Sequence, residues 1–273
     1  MLIQTASDQS VETIRRRFTE AVSASDARLA TRRWTLHLFE RGQKIADELE
    51  TGLGSLAGKR VLELGTAYGG DLVSLYARGA CCVGSDKFDF GYGRLKEYLQ
   101  ADGRLHLLQC DAMTRWPFAD HSFDLVLAME VLELVEDLDA FFAQMTRVLK
   151  PDGIALLETT TVLRMARLDP IYGLPLVGLL PSRVRRWVAE KVFHRGSDFR
   201  VSNHTFWWAN KFKPHAARHG YDVLPMKFAD SPIMARVSRW PMASLWQYLV
   251  RLFAFDFVLI VPRHCRPQRL AVS

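Results

Sequence analysis

Glycine and carboxylate residues that suit a nucleoside cofactor recur along the first half of the chain. The stretch 63–70 is Glu-Leu-Gly-Thr-Ala-Tyr-Gly-Gly, and glycines at a strand-to-helix turn let the backbone approach a ligand closely. Asp86 follows Gly65 by 21 residues, a spacing at which a carboxylate can accept both ribose hydroxyls. Asp111 can accept from an exocyclic amine such as that of adenine. Alone, the glycine turn could be structural and Asp86 a helix N-cap, but together the three positions indicate one binding crevice.

Five short apolar segments carry these residues and predict β-strands. They cover 60–65, 80–86, 105–111, 123–129 and 153–159, and helical patterns over 70–79, 92–101 and 138–149 separate them. The third helix ends at a predicted turn over 150–153, Lys-Pro-Asp-Gly. Strands that alternate with helices predict an α/β fold with a doubly wound parallel sheet. In such sheets ligands bind beyond the carboxyl ends of the strands.

Different patterns flank this alternation. Residues 11–50 show the periodicity of amphipathic helices, whereas 161–203 are rich in proline, arginine and aromatic residues. A helix over 204–219 and strands over 221–225 and 255–261 are predicted to follow. We divide the chain into an N-terminal helical cap (1–54), a cofactor-binding core (55–160), an inserted lid or acceptor region (161–203) and a C-terminal part of the core (204–265).

The ordered set of motifs resembles the class I S-adenosylmethionine-dependent methyltransferases, and most of all their small-molecule branch related to the quinone-biosynthesis methyltransferases. The motifs are Glu63-x-Gly65-x-Ala67-x-Gly69, Asp86, 110–112 (Cys-Asp-Ala), 116–124 (Trp-Pro-Phe-Ala-Asp-His-Ser-Phe-Asp), 131–137 (Val-Leu-Glu-Leu-Val-Glu-Asp) and 148–153 (Val-Leu-Lys-Pro-Asp-Gly). The resemblance covers roughly 55–160. It implies a Rossmann-like, seven-stranded sheet whose last strand is antiparallel, and S-adenosyl-L-methionine as the cofactor.

The resemblance also implies roles for individual residues. The glycine-rich stretch frames the methionine end of the cofactor, Asp86 binds the ribose and Asp111 the adenine amino group. Phe88 and Met113 flank the adenine ring, with plain apolar packing as an equal alternative. Ala67 stands where the family has its second glycine, a change that one methyl group allows. The predicted cofactor-binding residues are Glu63, Gly65, Thr66, Ala67, Gly69, Asp86, Lys87, Phe88, Asp111, Ala112, Met113 and Met129.

Methyl transfer requires an in-line acceptor and exclusion of water, and it requires a base only when the acceptor proton has a high pKa. Leu134 stands where many relatives have histidine, so a base at that position is absent. Other candidates for a base are His37, Glu130, His194, His204 and His215, although a single histidine is more often structural. We predict His204 and Glu130 as catalytic residues, and Tyr172, His37 and Trp207 as substrate contacts.

The net charge of +6 is concentrated in one region. Residues 182–220 contain nine basic and two acidic side chains, so the rest of the chain is close to neutral. A helix is predicted from Pro181 or Ser182 to about Phe193, and five of the seven tryptophans lie in 182–250. One interpretation is an apolar lid over a lipid-like acceptor that also contacts an anionic membrane. The other is a solvated basic helix packed on the domain.

Three other functions are weighed against transfer to a small-molecule or lipid-like acceptor. RNA methylation is disfavoured, because no separate RNA-binding module is visible and 128–131, Ala-Met-Glu-Val, lack the Asn/Asp-Pro-Pro-Tyr/Phe motif. An NAD-dependent dehydrogenase would leave 117–124, Pro-Phe-Ala-Asp-His-Ser-Phe-Asp, unexplained. A protein that uses S-adenosylmethionine for non-methylation chemistry stays open, since the usual histidine is replaced at Leu134.

Composition sets expectations for location and metal content. No run of about 18 uncharged apolar residues appears, and the N-terminal sequence does not have the pattern of a secretory signal. The four cysteines, Cys81, Cys82, Cys110 and Cys265, form no C-x-x-C pair, so no zinc site is expected. We predict a cytoplasmic enzyme, and peripheral contact with the membrane stays open beside the alternative of a solvated basic helix; the sequence does not reveal the oligomeric state.

Overall fold

The structure is a computed structural model that describes residues 10–25, 29–158, 174–194, 209–225 and 257–263. The strands are β1 (Arg60–Leu64), β2 (Cys81–Asp86), β3 (Leu105–Gln109), β4 (Phe123–Met129), β5 (Leu149–Glu158), β6 (Tyr221–Pro225) and β7 (Phe257–Pro262). The α-helices are α1 (Val11–Ser23), α2 (Leu29–Leu53), α3 (Gly70–Ala77), α4 (Tyr92–Leu99), α5 (Leu138–Val148), α6 (Ser182–Trp187) and α7 (Ala209–Arg218). Short 3₁₀ turns cover Leu132–Leu134 and Val177–Leu179, and a π-helical turn over Val188–Val192 continues α6.

The strands form one sheet in the order β3-β2-β1-β4-β5-β7-β6. The first five strands are parallel, and their apolar runs are buried because helices cover both faces of the sheet. β7 lies between β5 and β6 and runs antiparallel to both. The predicted doubly wound sheet with an antiparallel last strand is therefore confirmed.

The turn predicted over 150–153 belongs instead to β5. Leu149 pairs with Phe123 and Ile154 with Leu125, so four residues of β5 bulge opposite Asp124 alone. Asp124 stabilises the bulge by accepting from Lys150 Nζ at 2.8 Å and from the backbone N–H of Arg60 at 2.8 Å. The Pro-Asp-Gly sequence turns the chain, as its composition predicts, but the hydrogen bonds on either side keep the turn within the strand.

The N-terminal helices pack on the face of the sheet that carries α3 and α4. Phe18 of α1 stacks on Phe39 of α2 with ring centroids 5.3 Å apart. The close approach of α2 to α3 depends on two glycines. A Cβ added at Gly42 would lie 2.7 Å from Ser74 Cβ, and one at Gly70 would lie 2.6 Å from Leu38 Cβ. α2 therefore lies directly over the first turn of α3.

The other face of the sheet is covered by α5 and α7. Its core contains Trp116, Phe123, Phe142 and Met145, all nearly inaccessible to solvent. Predicted helix positions agree with the structure to within a few residues where they are described, and the helix predicted over 182–193 ends as a π turn. Within the described residues, no helix combines the length and apolar character needed to cross a membrane.

The contact at Gly42 predicts a large effect of a single methyl group. Gly42→Ala should lower the free energy of unfolding by about 1–3 kcal/mol, because the new Cβ would also lie 2.9 Å from the Asp71 Cα, which is backbone and cannot move aside. The measurement is urea denaturation followed by circular dichroism.

Gly93→Ala is the matched control. Gly93 lies in α4 with no atom within 4 Å of an added Cβ, so alanine should stabilise the protein by up to about 1 kcal/mol through its helix propensity. Equal effects of the two substitutions would show that α2 does not pack closely on α3.

Candidate cofactor and acceptor site

The turn between β1 and α3 has backbone angles that favour glycine. Gly65 and Gly69 have φ angles of +69° and +78°, and a Cβ at Gly65 would lie 2.4 Å from Val131 Cγ2. Ala67 also has a positive φ, +43°, so the residue at the family's second glycine keeps the left-handed backbone. The Thr66 N–H donates to the Ser85 carbonyl at 3.1 Å, which ties the turn to β2.

Asp86 holds this turn from the end of β2. Its Oδ2 accepts from the Ala67 N–H at 2.9 Å and its Oδ1 accepts from the Phe88 N–H at 3.1 Å. A carboxylate oxygen can accept more than one hydrogen bond, so both oxygens keep acceptor capacity toward the crevice. Asp86 is half-buried, as a ligand-facing carboxylate must be.

Asp111 lies beyond the end of β3. Its Oδ1 accepts from the Met113 N–H at 2.9 Å, and its Oδ2 lies 3.1 Å from Lys87 Nζ. Burial opposes ionisation, but the Met113 N–H and the Lys87 charge lower the pKa of Asp111 below its ordinary value. Phe88 and Met113 beside it are 52% and 43% exposed. The end of β3 thus offers an ionised acceptor flanked by uncovered apolar side chains.

Glu63 in β1 is a buried carboxyl group with an unusual pKa. Its side chain accepts a short hydrogen bond from Thr66 Oγ1. Burial, and after it the charge of Asp71, raise the pKa of Glu63 to about 8, although the Thr66 hydrogen bond opposes this shift. At neutral pH the side chain is therefore largely protonated.

A buried ion cluster connects α2 to the carboxyl edge of the sheet. Arg41 donates to both oxygens of Asp71, with its Nε 3.1 Å from Oδ1, and its Nη1 donates to Glu158 Oε2 at 2.6 Å. Asp71 and Glu158 are 4% and 2% exposed. Burial alone would lower the pKa of Arg41, but the carboxylates raise it above its usual value. Burial raises the pKa of Asp71, and Arg41 opposes that shift.

Glu130 and His37 lie close to this cluster. Glu130 follows β4 with a φ of +55°, and its N–H donates to the Glu158 carbonyl at 3.2 Å. After the larger contributions of burial and Arg41, the charges of Glu130 and His37 also shift the pKa of Asp71, in opposite directions. Met129, the last residue of β4, is 6% exposed. The structure thus places Glu130, Met129 and His37 at the same end of the sheet as Glu63.

The other predicted candidates either lie outside the described residues or lie away from this end of the sheet. His204, Tyr172 and Trp207 lie outside the described residues. His215 is on α7, where its Nδ1 lies 2.7 Å from Asp139 Oδ1 on α5, so it serves helix packing. His194 is exposed at the end of the π turn.

Sequence reasoning missed Arg41, Asp71 and Glu158. The signal for Arg41 was its position one helical turn after His37 on an amphipathic helix. Asp71 follows the glycine turn directly, and Glu158 ends β5, so both occupy ligand-facing positions of a parallel sheet. Arg41, the partner of both, is 30 residues from Asp71 and 117 residues from Glu158 in the chain. No local sequence pattern predicts pairing over such distances.

Comparison with known proteins identifies a domain in the chain and agrees with the fold described above. Residues 62–157 match the family described as "Methyltransferase domain". A demethylmenaquinone methyltransferase of Mycobacterium sp. (strain KMS) is 37% identical over 139 residues, which are 50% of this chain and 57% of that enzyme. A sterol 24-C-methyltransferase of Gibberella zeae is 33% identical over 110 residues, 39% of this chain and 29% of that enzyme. The match to these curated relatives thus spans about half of their length or less.

A solved structure extends the similarity beyond the domain. The S-adenosylmethionine-dependent methyltransferase of Mesorhizobium loti superposes with a TM-score of 0.51 at 20% identity, over 78% of this chain and 94% of that one. At that identity the superposition establishes the fold. Residues 62–157 therefore match a methyltransferase domain, and the resemblance to the class I S-adenosylmethionine-dependent methyltransferases inferred from the motifs is confirmed.

The ion cluster predicts a large cost for removing its cation. Arg41→Met should lower the free energy of unfolding by about 3–5 kcal/mol, because Asp71 and Glu158 would lose their partner while staying buried. Urea denaturation near neutral pH measures this loss.

Arg15→Met is the control. Arg15 of α1 pairs with Glu40 of α2 at an exposed surface, where ion pairs contribute little. We expect almost no change for this variant. A similarly small change for Arg41→Met would contradict a structural role of the buried cluster.

Proposed function

We propose that the chain transfers the methyl group of S-adenosylmethionine to a small-molecule or lipid-like acceptor. The observation that carries this proposal is the convergence of the glycine turn, Asp86 and Asp111 at the carboxyl ends of three neighbouring strands. That arrangement suits a nucleoside: the carboxylates match its hydroxyl and amino donors, and the turn brings bare backbone against it.

The adenosine half of the cofactor fits the described residues. Asp86 retains acceptor capacity for two ribose hydroxyls while it fixes the turn at Ala67. Asp111, with its lowered pKa, is an acceptor for the adenine amino group. Phe88 and Met113 expose apolar surface beside it, and an adenine ring would cover that surface.

The methionine half fits the charge at the ends of β1, β4 and β5. Within the described part of the chain, the carboxyl groups of Glu63, Asp71, Glu130 and Glu158 lie near enough to Arg41 to interact with its charge. The methionine half of S-adenosylmethionine carries an ammonium, a sulfonium and a carboxylate group, so it is a net cation that an excess of carboxylates attracts. These residues would bind and orient that half of the cofactor.

An acceptor of limited size fits a cavity beside the glycine turn. The cavity has a volume of about 570 Å³, within the range of small-molecule sites. Its lining includes Val22 and Thr35 of the N-terminal helices, Tyr68 of the turn, and Phe90 and Leu95. Relatives that act on demethylmenaquinone and on sterols also support a lipid-like acceptor.

When bound, the cofactor supplies an electrophilic methyl group and a neutral thioether leaving group. An acceptor that reacts through an O–H, N–H or C–H group would give up a proton, which a side chain of this site would have to receive. The helices α1 and α2 exclude water and hold the acceptor in line. Glu130, near Arg41 and Asp71, is our candidate to receive that proton within the described residues; His204 remains the other prediction.

The test is methyl transfer together with cofactor binding. The full chain, supplied with methyl-labelled cofactor and a set of quinols, phenols and sterols, should yield labelled acceptor and an equal amount of S-adenosylhomocysteine. Asp86→Ala should weaken cofactor binding by about a hundredfold or more in calorimetry, since it removes a charged acceptor for two hydroxyls.

Asp47→Ala is the matched control, because Asp47 of α2 is a carboxylate with a 63% exposed side chain. It should bind the cofactor like the parent chain. Wild-type affinity in Asp86→Ala would overturn the site. Cofactor consumption without S-adenosylhomocysteine would indicate non-methylation chemistry, and label found only in RNA would favour the nucleic-acid alternative.

The pKa of Glu63 predicts a pH dependence of cofactor affinity. In the cofactor-free protein Glu63 is largely protonated below its pKa of about 8. A neighbouring cation favours the carboxylate, so cofactor binding should release a proton. Affinity should therefore rise with pH between about pH 6 and 8, by at most about tenfold per pH unit, and level off above that range.

Glu63→Gln tests this assignment. Glutamine keeps the size and an acceptor for Thr66 Oγ1 but cannot ionise, so the variant should bind the cofactor more weakly at high pH and with a flat profile. Calorimetry in two buffers of different ionisation enthalpy would count the released proton. An unchanged pH profile in Glu63→Gln would show that another group titrates.

A further inference from the structure

Large apolar side chains are exposed in a concentrated group between residues 174 and 194. Six of them lie there at 44% to 64% exposure: Leu176, Leu179, Val184, Trp187, Val192 and Phe193. All other described parts of the chain together contribute five: Trp34, Phe88, Tyr98, Met113 and Leu134. Such a concentration marks an interaction surface, because scattered exposure is the ordinary pattern. We call residues 174–194 the apolar ridge.

The apolar ridge has an inner face that is already packed. Leu174, Val177 and Ala189 form a small buried core, and Leu180 and Val188 pack against it. The six exposed side chains are therefore additional to those that hold the segment in place. Their exposure belongs to a folded element, with a 3₁₀ turn, α6 and the π turn in succession.

Exposed basic residues occur in the same segment as these apolar side chains. Arg183, Arg186 and Lys191 are exposed, and the one acidic residue of the apolar ridge, Glu190, is paired with Arg186 at 2.9 Å. The apolar ridge thus combines aliphatic residues, a tryptophan and an excess of basic residues. An anionic bilayer offers the complement of each: acyl chains, an interface that suits tryptophan, and lipid phosphates.

We propose that the apolar ridge docks on an anionic membrane surface. Leu176, Leu179 and Trp187 would enter the boundary between head groups and acyl chains, while the exposed basic side chains contact lipid phosphates. Single-stranded RNA is a poorer match, since nucleic-acid surfaces stack bases on aromatic rings and four of the six exposed residues are aliphatic. Protein interfaces tend to be depleted in lysine.

The experiment is co-sedimentation of the full chain with vesicles. One set contains phosphatidylcholine alone, and the other also contains about a third phosphatidylglycerol. The protein should sediment with the anionic set only, and added salt should weaken that binding because the Debye length shortens. Equal binding to both sets, or binding to neither, would overturn the proposal.

Two pairs of variants separate the apolar and the charged contributions. One double variant combines Leu179→Ser and Trp187→Ser, and the other combines Arg183→Gln and Lys191→Gln. Each double variant should reduce vesicle binding by about tenfold. The matched controls are Tyr98→Ser on α4 and Lys44→Gln with Arg115→Gln, which change exposed residues elsewhere and should bind like the parent chain. Equal losses in the controls would contradict a specific surface.

The same samples distinguish this proposal from the others. Circular dichroism and S-adenosylhomocysteine binding of each variant should equal those of the parent chain, because none of the substituted residues is a predicted cofactor-binding residue. A contrary outcome is that excess RNA displaces the protein from anionic vesicles and that both double variants also lose RNA binding. That combined result would show that the surface binds nucleic acid and would overturn the membrane proposal. Such a result would leave the proposed methyltransferase function standing.

Discussion

The guanidinium group of Arg41 between Asp71 and Glu158 is the interaction on which the rest of the site depends. Asp71 lies in the first turn of α3, Glu158 ends β5, and Arg41 belongs to a helix that precedes the sheet in the chain. Each of these buried charges would be costly without the other two. The cluster therefore fixes α2 across the carboxyl edge of the sheet, and Gly42 and Gly70 allow the close approach that this position requires.

The same cluster sets the electrostatics of the proposed methionine end of the cofactor. Among the described residues, the carboxyl groups at this end outnumber the guanidinium group of Arg41. Burial and the charge of Asp71 raise the pKa of Glu63, so that Glu63 holds a proton near neutral pH. A cationic ligand would relieve this excess of negative charge, whereas the neutral thioether product has no sulfonium charge to contribute. Positioning and electrostatics of this kind suit methyl transfer, in which the electrophile arrives already activated and alignment limits the reaction.

The sheet could be predicted from the sequence because its evidence is local. Buried parallel strands are short apolar runs, and glycines and carboxylates mark their ends. Asp86 was therefore placed correctly as the last residue of β2, and Asp111 lies two residues beyond the end of β3. The ion cluster could not be predicted, since Arg41 and Glu158 are 117 residues apart. The bulge at 150–153 was mistaken for a turn between elements because Pro-Asp-Gly has turn chemistry, and only the pairing of Leu149 with Phe123 shows that the strand has already begun.

A lipid-like acceptor would explain both the cavity and the exposed apolar side chains of the apolar ridge. A water-soluble acceptor reaches a cavity by diffusion and gives the protein no need for an exposed apolar surface. A lipid-like acceptor partitions into the bilayer, so its concentration in water is very low. An enzyme that stays in solution would therefore encounter it rarely. A surface that holds Leu176 and Trp187 at the interface would keep the enzyme at the phase that contains the acceptor, and the exposed basic side chains among 182–193 would favour anionic membranes.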